Sequence, residues 1–291
     1  MTDPTTDILG SLSSAVTSVV AKAAPAIVSV HSHRARAAGF VWKPGLVVTA
    51  DEALAEEGEV SIKLADGTAR PAAIVGRDHT TDIALLRFDA TEIAPARLSP
   101  AAPALGSLAI VVAAARGTPS AALGVVSLVG GRWRSLRGGD IDARVELDVR
   151  LHHSQQGGLA LDASGQAIGM AVLGPRRVLV IPTATIERVA TRLDTHGRIA
   201  RGYLGVGLQA VKLDDGVGVM VMSVDKSGPS ATAGIRQGDV IVGWNDEKLS
   251  GVRPLLRSLG PDSVGRVVDL LVRRAGEPMR IKLTIGERPE T

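Results

Sequence analysis

The chain has 291 residues, enough for about two ordinary domains. Apolar residues make up 45%, charged residues 22% and aromatics only 2%, so the cores must rest on Val, Leu, Ile and Ala, a composition that suits barrels and sandwiches. Without cysteine there is no disulfide, thiol nucleophile or thiolate metal site, and the +3 charge comes largely from scattered arginines (Arg34, Arg36, Arg132, Arg134, Arg137, Arg176, Arg177) with no basic run or aromatic platform, which disfavours a nucleic-acid partner.

Taken in order, the chain opens on Met1-Thr2-Asp3-Pro4-Thr5-Thr6-Asp7, acidic where a signal peptide is positive, and no apolar run reaches the roughly 18 residues a membrane span needs. The expected compartment is therefore cytoplasmic, or periplasmic or otherwise extracytoplasmic if a leader has been removed. Ile8, Leu9, Leu12, Val16, Val19, Val20 and Ala23 recur at helical spacing behind Asp7, read as the N-cap, and Pro25 ends the helix. From Ile27 the pattern turns to short strands, including a hairpin at Asp66-Gly67 and strands over 46–49, 83–88, 108–112, 124–129, 145–149, 166–172 and 178–181. Many short strands broken by Gly and Pro argue for a barrel or sandwich. A helix over 185–196 ends at Gly197. After a Gly- and Arg-rich boundary at 197–202, strands are expected over 217–224 and 238–244, a short helix over 228–233 and another over 252–259 capped by Ser250. Two alternating strands across Ala275-Gly276-Glu277 close the chain.

The stretch richest in chemistry is Ser154-Gln155-Gln156-Gly157-Gly158-Leu159-Ala160, where successive glycines free the backbone and aim the preceding side chain outward. Around it, in order, stand Pro25-Ala26-Ile27-Val28-Ser29-Val30, Gly39-Phe40-Val41, Leu46-Val47-Val48-Thr49, Asp78-His79-Thr80-Thr81-Asp82-Ile83-Ala84-Leu85-Leu86 and Gly124-Val125-Val126-Ser127. This succession resembles the HtrA/DegP family of trypsin-like serine proteases. Tyr203-Leu204-Gly205-Val206 and Ala233-Gly234-Ile235-Arg236-Gln237-Gly238-Asp239-Val240-Ile241 resemble the PDZ module that follows the protease in that family. The resemblance implies a mainly β protein: an N-terminal helical segment (1–19), a trypsin-like (chymotrypsin-fold) double β-barrel (20–198), an α+β PDZ domain (199–288) and a tail (289–291).

The family's mechanism needs a His base, an Asp that orients it and a Ser nucleophile with backbone donors for the oxyanion. Carried over in register, the Asp position is Asp82, intact; the His position falls on Glu52, the Ser position on Gln156, and the oxyanion-hole glycine on Ser154. A glutamine amide forms no acyl-enzyme, and a carboxylate is not the imidazole that shuttles a proton near neutral pH. In another triad protease, losing either nucleophile or base costs about 10⁶ in turnover. The expectation is a pseudoprotease with no intact catalytic triad, its positions being Glu52, Asp82 and Gln156, and no metal or cofactor. Glu52 reads either as half of a carboxylate pair with Asp82, in which one pKa is raised, or as a plug bound by Gln156 or a nearby Arg; the plug is preferred. His79, His152 and His153 are read as loop-surface histidines. The PDZ resemblance implies binding of peptide C-termini or unfolded polypeptides by a loop of Tyr203, Leu204, Gly205 and Val206, with Leu256 and Leu259 as pocket walls. It also implies a homo-oligomer, often a trimer in the family, with residues 8–20 as a contact. Two alternatives stay open: a working endopeptidase with an unforeseen nucleophile, and an Arg-rich scaffold for an acidic partner.

Overall fold

A computed structural model describes residues 4–33, 35–56, 58–90, 92–99, 102–115 and 117–289. The chain forms two compact units, Met1–Ile199 and Ala200–Thr291.

The first unit opens on helix α1 (Pro4–Ala23). Asp7 lies in its first turn rather than capping it, three residues inside the start, where its carboxylate still meets the positive end of the helix dipole. A second expectation is also corrected. Asp7–Ala26 is a 20-residue helical segment, long and apolar enough by length and composition to cross a membrane, and little of it is buried. No continuous apolar run produces this. The positions between Asp7 and Lys22 are simply uncharged, with Gly, Ser, Thr and Ala separating the aliphatic residues.

Strands β1 (Ile27–Ser32), β2 (Ala35–Lys43), β3 (Leu46–Thr49), β4 (Val60–Lys63), β5 (Ala69–Asp78) and β6 (Ile83–Phe88) close a first barrel in the order β1-β2-β3-β6-β5-β4. Its interior is aliphatic, built on Val28, Val30, Val41, Val47, Ile62 and Leu86 with Phe88. Next come β7 (Leu108–Ala115), β8 (Thr118–Gly130), the small hairpin β9 (Trp133–Arg134) and β10 (Asp140–Ile141), β11 (Arg144–Asp148), β12 (Gly158–Asp162), β13 (Ala167–Leu173) and β14 (Val178–Pro182). Six of these close a second barrel, β11-β14-β13-β12-β7-β8, around Val111, Val126, Leu147, Ala160, Ile168 and Val180. Alternation explains the layering: odd residues of β12 (Leu159, Leu161) face outward into a third core with Phe40, Ile83, Ile110 and Met170, and that core joins the barrels to each other and to α1 and helix α2 (Thr183–His196). Gly197, left-handed, caps α2 through its N–H on the Leu193 carbonyl.

The second unit is an α+β fold: β15 (Gly202–Tyr203), β16 (Val206–Leu213), β17 (Gly216–Val224), α3 (Pro229–Thr232), β18 (Val240–Trp244), β19 (Glu247–Lys248), α4 (Val252–Arg257), β20 (Val267–Arg274), β21 (Glu277–Thr284) and β22 (Gly286–Glu287). The sheet runs β16-β17-β18-β20-β21, which leaves β16 at an edge. The sequence pattern missed β16, because Gly207 and a bulge between Gly207 and Leu208 break its alternation. Ser250 does not cap α4; the N-cap is Gly251, with no side-chain hydrogen bond.

Candidate functional site

Two places in the fold gather the residues singled out above. The first lies where the barrels meet. After β3 the chain makes a single 3₁₀ turn, Asp51–Ala53, and the Glu52 N–H donates to Asp82 Oδ1 at 2.7 Å. Asp82 adopts φ +58°, a left-handed conformation that Asp tolerates better than most residues. Burial pushes its carboxyl pKa up from an ordinary 3.8 to about 7, with Glu52 and Asp51 adding to the rise and the Glu52 N–H and Arg137 opposing it. Glu52 itself meets Arg137 Nη2 at 3.0 Å. Both side chains are about half exposed, so the pair positions more than it stabilises. Arg137 comes from the β9–β10 hairpin, which lies against residues 79–82: Ser135 Oγ donates to the Thr80 carbonyl at 2.6 Å and Arg137 Nη1 to the His79 carbonyl at 3.4 Å.

His79 is not an idle surface histidine. Its ring is 62% exposed, yet Nδ1 is bonded to Asp51 Oδ2, and Asp51 is 1% exposed with the Arg77 guanidinium on its other oxygen. His152 and His153 are exposed, but they form the turn beside Gln156. The segment His153–Gln155 is a 3₁₀ turn, and the Gln156 N–H donates to the His153 carbonyl at 3.2 Å. Gln155 locks the turn, its Oε1 accepting from the His152 N–H at 2.9 Å and its Nε2 donating to Ser120 Oγ at 3.0 Å. Ser154, at the turn's centre, is half-buried.

Gln156 is 6% exposed. Its side-chain oxygen accepts from the Leu173 N–H at 3.4 Å rather than meeting Glu52. The reason is the ladder. Strand β12 begins at Gly158, opposite Ala171, and the Gly157 N–H donates to the Ala171 carbonyl at 2.9 Å. Leu173 lies two residues further along β13, past the end of its pairing with β12, and the Gln156 side-chain oxygen accepts its N–H where no strand residue does. The Ala38 N–H donates to the Gln156 carbonyl at 2.8 Å, tying the turn to the first barrel. Gly157 at φ +88° is required there, since a Cβ would stand 2.2 Å from the Ala38 carbonyl oxygen. The fold thus joins Glu52 to Asp82 and sets the 154–157 turn against Ala38, Thr49 and Ala50. Sequence spacing missed Asp51, Arg137, Gln155 and Leu173, whose partners are 26 or more residues away (Asp51, Arg137) or depend on strand register (Leu173).

The second place is the loop before β16. Leu204 is buried, and its carbonyl accepts from the Ser230 N–H at 2.9 Å; the Gly205 carbonyl accepts from the Asp225 N–H at 2.8 Å. With both carbonyls turned onto 225–230, the N–H groups of Leu204 and Gly205 have no acceptor among the described residues. Gly205 takes φ +73° and approaches Gly228 so closely that a Cβ would lie 3.0 Å from its Cα. Tyr203 braces the loop, its hydroxyl donating to Asp225 Oδ2 at 3.1 Å. Val206 opens the edge strand β16. On α4, Leu255 is fully buried, Leu256 is 54% exposed and Val252 packs half-buried on the core with Val206 and Leu208. The helix stops at Arg257 rather than 259, so Leu259, also half-buried on that core, lies just beyond it. Leu256 follows Val252 by one helical turn, so the two share a face.

A double barrel with a glycine-framed turn between its halves, then a sheet with an open edge strand beside a helix, defines a trypsin-like peptidase fold followed by a PDZ fold. Residues 37–170 match the trypsin-like peptidase domain family and residues 202–285 the PDZ domain family. A probable periplasmic serine endoprotease DegP-like protein of Brucella suis is 30% identical over 88% of this chain and 53% of its own, and that of Bartonella henselae 28% identical over 89% and 55%. The chain spans about half the length of these relatives. In fold it is similar to the serine endoprotease from Yersinia pestis (TM-score 0.75, 24% identity, 94% of this chain and 98% of that one) and to the HtrA-type protease AlgW with decapeptide (TM-score 0.75, 22% identity, 95% and 99%). The chain belongs to the HtrA/DegP family of trypsin-like serine proteases with a PDZ domain.

Proposed function

We propose that this HtrA-type chain does not cleave peptides and that it binds peptide C-termini or unfolded chains through its PDZ domain, as an adaptor, chaperone or scaffold. The observation that carries the reading is the state of the 153–156 turn. Glu52 and Gln156 occupy the register positions of base and nucleophile, and the Gln156 N–H that would face an oxyanion is spent on the His153 carbonyl. Ser154 replaces the other donor's glycine, and the glutamine amide occupies the Leu173 N–H. On this reading base and nucleophile are lost and one oxyanion donor, the Gln156 N–H, is turned away, each worth orders of magnitude alone. Supporting the PDZ half, the Leu204 and Gly205 amides are unengaged beside an open strand edge and a half-exposed apolar helix face, the arrangement that takes a C-terminal carboxylate on a peptide added as a strand. The name of the AlgW structure includes a decapeptide. The relatives' names place them in the periplasm, and α1 is apolar enough to have served export or anchoring; an extracytoplasmic site is favoured over the cytoplasmic one. Exposed Ile8, Leu9 and Leu12 on α1 support a homo-oligomer.

A C-terminal peptide library screened against the intact protein tests the reading. Micromolar binding of apolar C-termini, lost on amidation of the carboxylate, is the expected result; no selectivity for free carboxylates sinks it. A second reading, an active endopeptidase, draws on the relatives' names and on His79, whose ring is oriented by a buried carboxylate as a base would be. Casein turnover abolished by His79→Ala would establish it.

A further inference from the structure

Between the end of α1, the segment joining the barrels and strand β12 lies a cavity of about 500 Å³. Its floor is Leu159 and Leu161, the outward face of β12, with Ala23, Ala26 and Ala96 beside them; Pro25 and Pro95 form the sides. The rim carries Lys22 and Arg97, both exposed, neither with an ion-pair partner among the described residues. Among the described residues no carboxylate lines it. The nearest acid on that turn, Asp162, spends Oδ1 on the Ser164 N–H and hydroxyl and on the Gln166 N–H.

The size is that of a small-molecule site, and the lining is mostly aliphatic, with Ser164, Gly165 and Gln166 on one wall and the two exposed cations Lys22 and Arg97. We propose that this cavity binds a single-chain aliphatic carboxylate, the alkyl chain on Leu159 and Leu161 and the carboxylate between Lys22 and Arg97. A peptide is the poorer occupant. Strand β12 is paired on both sides, with β7 and β13, so no ladder edge is open there, and Ala96 spends its N–H on the Val41 carbonyl. Peptide amides laid on Leu159 and Leu161 would lose hydrogen bonds to water that these side chains cannot replace, whereas an alkyl chain brings none to lose. Two exposed cations also select an anion over an alcohol, through an attraction that salt weakens.

The site is independent of the PDZ reading, and its test uses the intact protein with leucine methyls labelled. Decanoate, titrated below its micelle concentration, should shift the Leu159 and Leu161 methyls saturably with one binding constant. Affinity should rise roughly fourfold per added CH₂ from hexanoate to decanoate. Decanol should bind at least about tenfold more weakly, as should decanoate to the Lys22→Gln, Arg97→Gln double variant, whose two changes lie on the surface. Ala94→Phe, an exposed lining position, should close the mouth and abolish the shifts. Decyl phosphate binding as well as decanoate would widen the class to alkyl anions and keep the site. Shifts confined to residues 200–291, equal affinity in the double variant, or no saturable shift in the parent protein overturns the proposal.

Discussion

Asp82 sits at φ +58° with its carboxyl half-buried beside Glu52 and Asp51, and its pKa is raised to about 7. The folded state therefore holds a proton that the unfolded chain has released between about pH 4 and 7. Stability from this group is fully present below pH 4 and is lost as pH rises through 7. Asp82→Asn keeps an oxygen for the Glu52 N–H, tolerates the positive φ and removes the charge. It should raise stability at pH 8 by about 2 kcal/mol, discounted for partial exposure, and flatten urea-midpoint profiles between pH 4 and 7. In a working triad the same change costs about 10⁴ in turnover; here no activity should be lost. The turn supplies a second expectation. If the register assignment holds, Glu52→His with Gln156→Ser supplies a base and a nucleophile but leaves Ser154 and the 3₁₀ turn. Casein turnover should stay at least about 10²-fold below that of the triple variant carrying Ser154→Gly as well, as expected for a missing oxyanion donor. Equal rates would show that the turn is no obstacle.

Among the elements, α4 and the 203–206 loop carry the binding argument. Leu255 is core and Leu256 is half exposed one residue later, so the two separate packing from binding. Leu255→Ala should cost about 2–5 kcal/mol of stability, while Leu256→Asp should leave stability within about 0.5 kcal/mol and weaken peptide binding at least about tenfold. Equal losses of both kinds would place Leu256 in the core. The sequence pattern located most of these elements, because barrel strands with one buried face alternate and helices stop at Gly or Pro. It failed where tertiary context overrides pattern. Strand β16 is broken by Gly207, and α1 extends three residues ahead of its apparent cap. Register with the family pointed to Asp82, Glu52 and Gln156, and the fold brings the first two into contact. Arg137 and Leu173 were not, since each reaches the site through a hairpin or ladder whose register no local spacing encodes.

Across the whole molecule, both barrels are closed around aliphatic cores, while the proposed reading has the site without its base and nucleophile. Retained packing with altered site residues fits a fold kept as a scaffold. Assembly belongs to this scale. If the apolar side chains at the start of α1 hold copies together, light scattering should give a multiple of 30.1 kDa, and Ile8→Ser, Leu9→Ser and Leu12→Ser combined should give the monomer mass. A monomeric parent protein would remove the oligomer. The central claim is settled by fluorophosphonate labelling of the intact protein, followed by mapping of any adduct. The expected outcome is no labelled serine above the level of the heat-denatured control. A stoichiometric adduct on Ser154 or any other serine, blocked by a peptide substrate, would contradict the inactive reading.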